Sequence, residues 1–197
     1  MLNRCFKTLA LSIVVVSIVA CSSASKKPVI VIEKTKNELP VLTESQKNSY
    51  HEAVKYMASQ QYAQAETIFN DLIKQQPRLT GAFVNLGIIR KNDKDLEKAK
   101  QFFIKALEIN PNFIDALLQQ ALIHRDAGAF SEAEDLLRRA EAIEPKHALV
   151  NYNLGVLYEL YLQDYSLAIK YYERYVSVST AEDVETVKRW IQLLERK

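Results

Sequence analysis

The chain has 197 residues, of which 48% are apolar and 25% charged, enough for a folded core in one or two domains. Only four glycines and five prolines occur. This scarcity of turn residues argues against a β-sandwich or barrel and favours long helices. The formal charge of +2 comes from Arg4 and Lys7, because residues 1–20 hold no acid. The remainder is neutral, so we expect no nucleic-acid partner.

The first 20 residues have the pattern of a signal peptide. The two basic residues precede an apolar run from Leu9 to Ala20, which is too short to cross a bilayer of about 30 Å as a helix. It ends in Ile18-Val19-Ala20-Cys21, which resembles the lipobox of bacterial lipoproteins. The resemblance implies cleavage before Cys21, a thioether-linked diacylglycerol on its sulfur and an acyl chain, such as palmitate, on its amino group. The alternative is an uncleaved anchor with an incidental cysteine.

Residues 21–43 are predicted to form the lipidated N-terminus and a tether, because they begin with polar residues and contain two prolines. Cys5 would leave with the signal peptide, so the mature chain could form no internal disulfide. Several acyl chains would hold the protein firmly on its membrane. Ser22 follows the cysteine, which in enterobacterial lipoproteins implies sorting to the outer membrane, facing the periplasm. The β-prone Val29–Ile32 segment either pairs with a partner strand, packs on the first helix or stays disordered.

A repeat with a period of about 34 residues begins after the tether. Pro77, Pro111 and Pro145 are equally spaced by this period, and small and large apolar residues recur in step with them. The small residues would let two helices of a unit approach closely, and the large ones would fill the space between units. The main columns are Ala65, Ala99 and Ala133; Phe69, Phe103 and Leu137; and, earlier in each unit, Ala53, Gly87, Ala121 and Gly155.

These columns resemble the tetratricopeptide repeat, a helix–turn–helix unit, over residues 44–179. The resemblance implies an all-α, right-handed α-solenoid of four units, at about 46–79, 80–113, 114–147 and 148–180. The fourth unit contains a one-residue insertion, and Thr180 stands in place of proline. Residues 181–197 are predicted to form a capping helix, with an apolar stripe and a capping box of Thr180 and Asp183 at its start. Another capping box, Thr43 with Gln46, is predicted to open the first helix, and Trp190 is expected to pack in the core.

In tetratricopeptide repeats the first helices of successive units line a concave groove, which binds an extended peptide. The resemblance implies that amides spaced by one repeat period bind the peptide backbone, whereas the alternative is that they cap neighbouring carbonyls or face solvent. The apolar neighbours suit an apolar segment of a partner protein. The predicted groove comprises Tyr50, Val54, Met57, Val84, Asn85, Ile88, Lys91, Leu118, Gln119, Leu122, Arg125, Tyr152, Asn153 and Val156.

The sequence contains no pattern typical of catalysis. The three histidines, His51, His124 and His147, are each isolated, and His124 falls in a core column. Glycine-rich phosphate loops and nucleophile motifs are absent from the sequence. We therefore predict a protein without enzymatic activity, cofactor, metal or small-molecule substrate.

The predicted function is a membrane-anchored periplasmic adaptor that grips a partner protein during envelope assembly, secretion or transport. Two alternatives remain open at this point. One is a lipoprotein that escorts secretin subunits, similar to the tetratricopeptide lipoproteins of type IV pili, although those usually carry about six units. The other is a scaffold for peptidoglycan hydrolases.

Overall fold

The computed structural model describes residues 40–196. The predicted signal peptide, the lipidation of Cys21 and the tether up to residue 39 lie outside these residues. Within residues 40–196 the chain forms nine α-helices and no strand. They are α1 (Glu44–Ala58), α2 (Tyr62–Gln75), α3 (Thr80–Asn92), α4 (Leu96–Ile109), α5 (Ile114–Asp126), α6 (Phe130–Ile143), α7 (Ala148–Leu160), α8 (Tyr165–Val178) and α9 (Val184–Leu194).

The helices pack in chain order, each against the next. The four pairs α1–α2, α3–α4, α5–α6 and α7–α8 are the closest associations, and each pair falls within one repeat of the sequence. The prolines at 77, 111 and 145 lie in the turns between pairs, where their missing N–H leaves no helical hydrogen bond unmade. The first helices α3 and α5 also contact each other across neighbouring units. The all-α prediction is confirmed.

The small-residue columns lie where two helices of a unit meet. Gly87 on α3 faces the ring of Phe103 on α4, and a methyl group at Gly87 would overlap that ring. Gly155 on α7 faces Tyr172 on α8 in the same way, with ring carbons 2.5 Å from the position of a Cβ. Phe103 is fully buried. The glycines are therefore needed for helix contact, as the sequence predicts.

Each turn inside a helix pair contains one residue in the left-handed backbone region. These residues are Gln60, Lys94, Gly128 and Gln163, with φ between 56° and 78°. The first three are spaced by one repeat period, and the fourth comes one residue late, at the insertion predicted in the fourth unit. Only one of the four is glycine, so three turns hold a backbone conformation that L-residues adopt at a cost.

The two predicted capping boxes have different outcomes. At α1 the Thr43 side chain accepts from Gln46 N at 3.2 Å and the Gln46 side chain accepts from Thr43 N at 3.0 Å, so this box is confirmed. The box predicted from Thr180 and Asp183 is wrong, because α9 begins only at Val184 and has no side-chain cap. The Asp183 carboxylate instead accepts a hydrogen bond from the hydroxyl of Tyr175.

Helix α9 covers the open end of the fourth unit. Val187 and Leu194 are buried, and Val184 and Ile191 are partly buried against the same C-terminal core. The predicted apolar stripe therefore packs inward. Trp190 is half-buried and lies with its ring centroid 5.9 Å from that of Tyr172, so it packs at the margin of this core.

Candidate functional site

The first helices of the units bring part of the predicted groove together in a pocket of about 150 Å³. Helices α1, α3 and α5 and the first turn of α7 line it. Six of the fourteen predicted groove residues contribute: Tyr50, Val84, Asn85, Ile88, Leu118 and Gln119. The pocket lining combines apolar side chains with two amides, as the columns of the sequence suggested, but Val84 and Leu118 are buried.

The three amides of the predicted ladder all contact neighbouring groups. The Asn85 side-chain amide donates to the Tyr50 hydroxyl at 2.9 Å, and Gln119 Oε1 accepts from the Lys91 ammonium at 3.0 Å. Asn153 is 9% exposed and donates to the carbonyl of Leu149 at 2.7 Å, one turn earlier on its own helix. Asn153 is therefore committed to the fold, whereas half-buried Asn85 and Gln119 still line the pocket.

Tyr50 closes one side of the pocket. Its ring packs edge-on against Phe69 with centroids 5.4 Å apart. Burial raises the pKa of Tyr50, while the hydrogen bond from Asn85 lowers it and the charge of Asp115 raises it. Gly81 permits this position, because a Cβ there would lie 2.6 Å from the Tyr50 hydroxyl oxygen.

The basic column of the groove interacts with the amide column of the following unit. Arg125 pairs with Asp126 at 2.8 Å and reaches Asn153 Oδ1 at 3.4 Å. Lys91 is half-buried, and its pKa is lowered, first by burial and then by the charge of Arg125, against an opposing effect of Asp126. Two basic side chains therefore lie next to the amide column, and one of them is paired with Asp126.

The remaining predicted groove residues vary in accessibility. Val54 is 41% exposed, while Leu122 and Val156 are half-buried. Met57 packs against the N-terminal core. Tyr152 is half-buried against α8 and α9, with its ring centroid 5.2 Å from that of Tyr175. The aromatic member of the fourth unit is therefore partly covered by the cap.

One column of the pocket is not among the predicted groove residues. Gly81, Asp115 and Leu149 all line it, and they stand one repeat period apart, near the start of three successive first helices. Phe113, just before α5, lines it too. The period of the repeat alone would have shown that these three residues occupy equivalent positions. Because a glycine, an aspartate and a leucine share no chemistry, the column had no compositional signal.

The histidines show no clustering in the described chain. His51 is exposed and His124 is half-buried rather than fully interior. His147 is the N-cap of α7, where its Nδ1 accepts from Val150 N at 3.4 Å. Among residues 40–196, no group of three or more histidine, cysteine or acidic side chains could hold a metal ion. No helix within this range has the length and apolarity required to cross a membrane.

These features define an all-α tandem-repeat protein. Its helix pairs recur with the repeat period, small residues lie where the two helices of a pair meet, and the first helices line a pocket. The tetratricopeptide repeat matches residues 92–152 and again residues 148–181. An uncharacterised protein of Methanocaldococcus jannaschii is 37% identical over 67 residues, which are 34% of this chain and 78% of that protein. The chain belongs to the tetratricopeptide repeat family, whose repeats generally bind protein partners.

Further similarities concern the fold and parts of larger proteins. The UDP-N-acetylglucosamine–peptide N-acetylglucosaminyltransferase of Giardia intestinalis is 32% identical over 78 residues, which are 39% of this chain but only 5% of that enzyme. The solved structure of Pseudomonas aeruginosa pilF superimposes with a TM-score of 0.68 at 18% identity, covering 78% of this chain and 70% of that one. The latter likeness is one of fold.

Proposed function

We propose that this protein is a membrane-anchored adaptor whose first-helix groove holds an extended, mainly apolar segment of a partner protein. The observation that supports it is the pocket in which half-buried Ile88 and exposed Leu149 offer apolar contacts beside the half-buried amides of Asn85 and Gln119. Amides offer both a donor and an acceptor for a peptide backbone, and apolar side chains offer a place for its side chains.

Two amide atoms of the pocket are available for a peptide backbone. The Asn85 hydrogen bond uses its nitrogen and the Gln119 hydrogen bond uses its oxygen. The opposite atoms, Asn85 Oδ1 and Gln119 Nε2, make no hydrogen bond to any side chain or backbone group between residues 40 and 196. One acceptor and one donor on neighbouring first helices are therefore free to bind a ligand.

The cellular setting is part of the proposal. A lipid on Cys21 and a tether of residues 21–43 would hold the repeats near a membrane, on the periplasmic side of the outer membrane, during envelope assembly, secretion or transport. These elements rest on the signal-peptide and lipobox patterns of the sequence. Labelling cells with a palmitate analogue tests the anchor, because Cys21→Ala should abolish its incorporation. Incorporation that persists in this variant would refute the anchor.

Two positions that line the pocket give a test of the groove. Ile88→Glu with Leu149→Glu, the groove variant, would place two charges in the pocket. Leu149 is 54% exposed, whereas Ile88 is half-buried and packs against the core, so the fold of this variant is checked by circular dichroism. The matched control is Leu96→Glu with Ile104→Glu on α4, where both side chains are about half exposed, at 46% and 50%. Asn153 is left unchanged because it is buried.

A photocrosslinking residue at Val54, which is 41% exposed on the groove side, should capture a partner in the native cells. Each apolar anchor contributes about 1.5–3 kcal/mol before ordering costs, so the groove variant should reduce capture by tenfold or more. The control pair should leave it unchanged. Equal capture by the two variants, with unchanged helicity by circular dichroism, would refute the groove as the binding site.

A pilus-related role is the second candidate, favoured by the fold likeness to Pseudomonas aeruginosa pilF. A deletion strain would then accumulate secretin monomers at the expense of multimers, and the groove variant would fail to restore them. Normal secretin assembly in the deletion strain would exclude this role. Recovery of peptidoglycan hydrolases in the crosslinked material would instead identify the scaffold function.

A further inference from the structure

The first helices carry an acidic side chain at the pocket and basic side chains at their other end. Asp115 lies in the first turn of α5 and lines the pocket. Lys91 lies in the last turn of α3, at the other end of the first helices, within electrostatic range of Arg125 and Asp126. Asp115 and Arg125 are ten residues apart on α5, which is about 15 Å at a helix rise of about 1.5 Å per residue.

Neither charge is neutralised by an ion pair. In the described part of the chain no carboxylate lies within 4.0 Å of the Lys91 ammonium, and no basic nitrogen lies that close to Asp115. Asp126, whose charge opposes the lowering of the Lys91 pKa, is engaged with Arg125 at 2.8 Å. Lys91 instead donates to the neutral amide of Gln119.

The position of Lys91 is unfavourable for an ammonium without a counter-ion. Its side chain is half-buried, and burial is the largest of the effects that lower its pKa. Moving a charge out of water costs free energy unless an opposite charge or good hydrogen bonds compensate. A carboxylate of a bound partner would supply that compensation, whereas a neutral apolar segment would bury the ammonium further.

We propose that the groove selects a partner segment with an acidic side chain against Lys91, a basic side chain against Asp115 and apolar side chains between them. This proposal rests on the proposed function, since it names the ligand of the same groove. The apolar contacts between these charges come from half-buried Ile88 and exposed Leu149. An extended chain advances about 3.3 Å per residue, so a span of about 15 Å along the helices corresponds to at least four or five residues of the ligand.

Selection from a random dodecapeptide library on the immobilised full-length chain tests the charge pattern. Lys91→Glu and Asp115→Lys reverse one end each. Lys74→Glu is the matched control, because Lys74 is an exposed lysine on the second helix α2, paired only with exposed Asp71. The readout is the charge of the residues that flank the apolar stretch in the enriched peptides, which does not depend on the direction in which a peptide binds.

The wild type and Lys74→Glu should both enrich peptides with one acidic and one basic flank. Lys91→Glu should enrich two basic flanks, and Asp115→Lys two acidic flanks. For the best wild-type peptide, replacing its glutamate by glutamine should weaken binding about fivefold to tenfold, between the values for exposed and buried charged contacts. This difference should disappear on Lys91→Met.

Two results would overturn the proposal in distinguishable ways. Apolar peptides enriched without a charge pattern, or with the same pattern on Lys91→Glu and Lys74→Glu, would refute the charge selection and leave the groove as the binding site. Peptides enriched equally by the wild type and the groove variant, or by neither, would refute both the charge selection and the groove. Circular dichroism of each variant confirms that the repeats remain folded.

Discussion

Replacing Gly87 by alanine tests whether the helix contact inside a repeat depends on the absence of a side chain. The new methyl group would lie within 3.0 Å of three ring atoms of Phe103, which is fully buried and has no exposed direction in which to move. Overpacking of this kind costs about 1–3 kcal/mol. Alanine also gains about 1 kcal/mol over glycine in helix propensity. The difference between the two effects leaves the variant destabilised by up to about 2 kcal/mol.

The partner substitution Phe103→Leu separates the two contributions. It removes the ring that the methyl group would strike, so Gly87→Ala should cost less, or stabilise, in the Phe103→Leu background. The coupling in the double-mutant cycle should therefore equal the overpacking cost of about 1–3 kcal/mol, above the roughly 0.3–0.5 kcal/mol expected of independent sites. Ala53 occupies the same column in the first unit and is buried there, which shows that the backbone itself accepts alanine.

Urea unfolding followed by circular dichroism measures the free energy of unfolding of each variant. Fluorescence of Trp190, the sole tryptophan in the sequence, reports separately on the C-terminal units, because it packs against Tyr172. Repeat arrays can unfold in parts, and the two signals show whether the transitions coincide. A Gly87→Ala variant more stable than the wild type, or a coupling near zero, would refute the proposed role of the glycine.

Three further predictions concern local features. Gly128→Ala should lower the free energy of unfolding by about 1 kcal/mol, because φ is 78° there and alanine adopts this backbone region at a cost. No atom lies within 4 Å of an added Cβ, so no steric overlap adds to this cost. An unchanged urea midpoint would contradict this prediction. Thr43→Ala should lower the free energy of unfolding by about 1 kcal/mol, because the capping box with Gln46 is lost. A urea midpoint equal to that of the wild type would contradict this contribution of the cap. Burial and the hydrogen bond to Glu159 raise the pKa of Tyr172 above its ordinary 10.0. The folded state therefore holds the Tyr172 proton more tightly than the unfolded state, and the free energy of unfolding should fall as the pH rises above 10. This fall should be less steep in Tyr172→Phe. Equal slopes of the free energy of unfolding between pH 9 and 11 in the two proteins would contradict the assignment.

The sequence alone determined the repeat and its helices. Packing between helices of one unit is a local requirement that recurs in every repeat, so glycine and alanine columns such as Gly87 and Gly155 reveal it directly. The same register located the insertion in the fourth unit, which the structure shows as the left-handed residue Gln163 arriving one position late. The capping box at Thr43 was readable because all its atoms lie within four residues.

Only the tertiary structure decided which polar side chains meet across units. Asn85, Gln119 and Asn153 are equivalent in the repeat, yet the first two line the pocket and the third is buried and bonded to its own helix. Asp183 was expected to cap a helix but instead accepts a hydrogen bond from Tyr175. A repeat fixes the spacing of side chains along the chain. Their partners depend on the offset between neighbouring helices and on the neighbour's side chain at that point, and these differ from unit to unit.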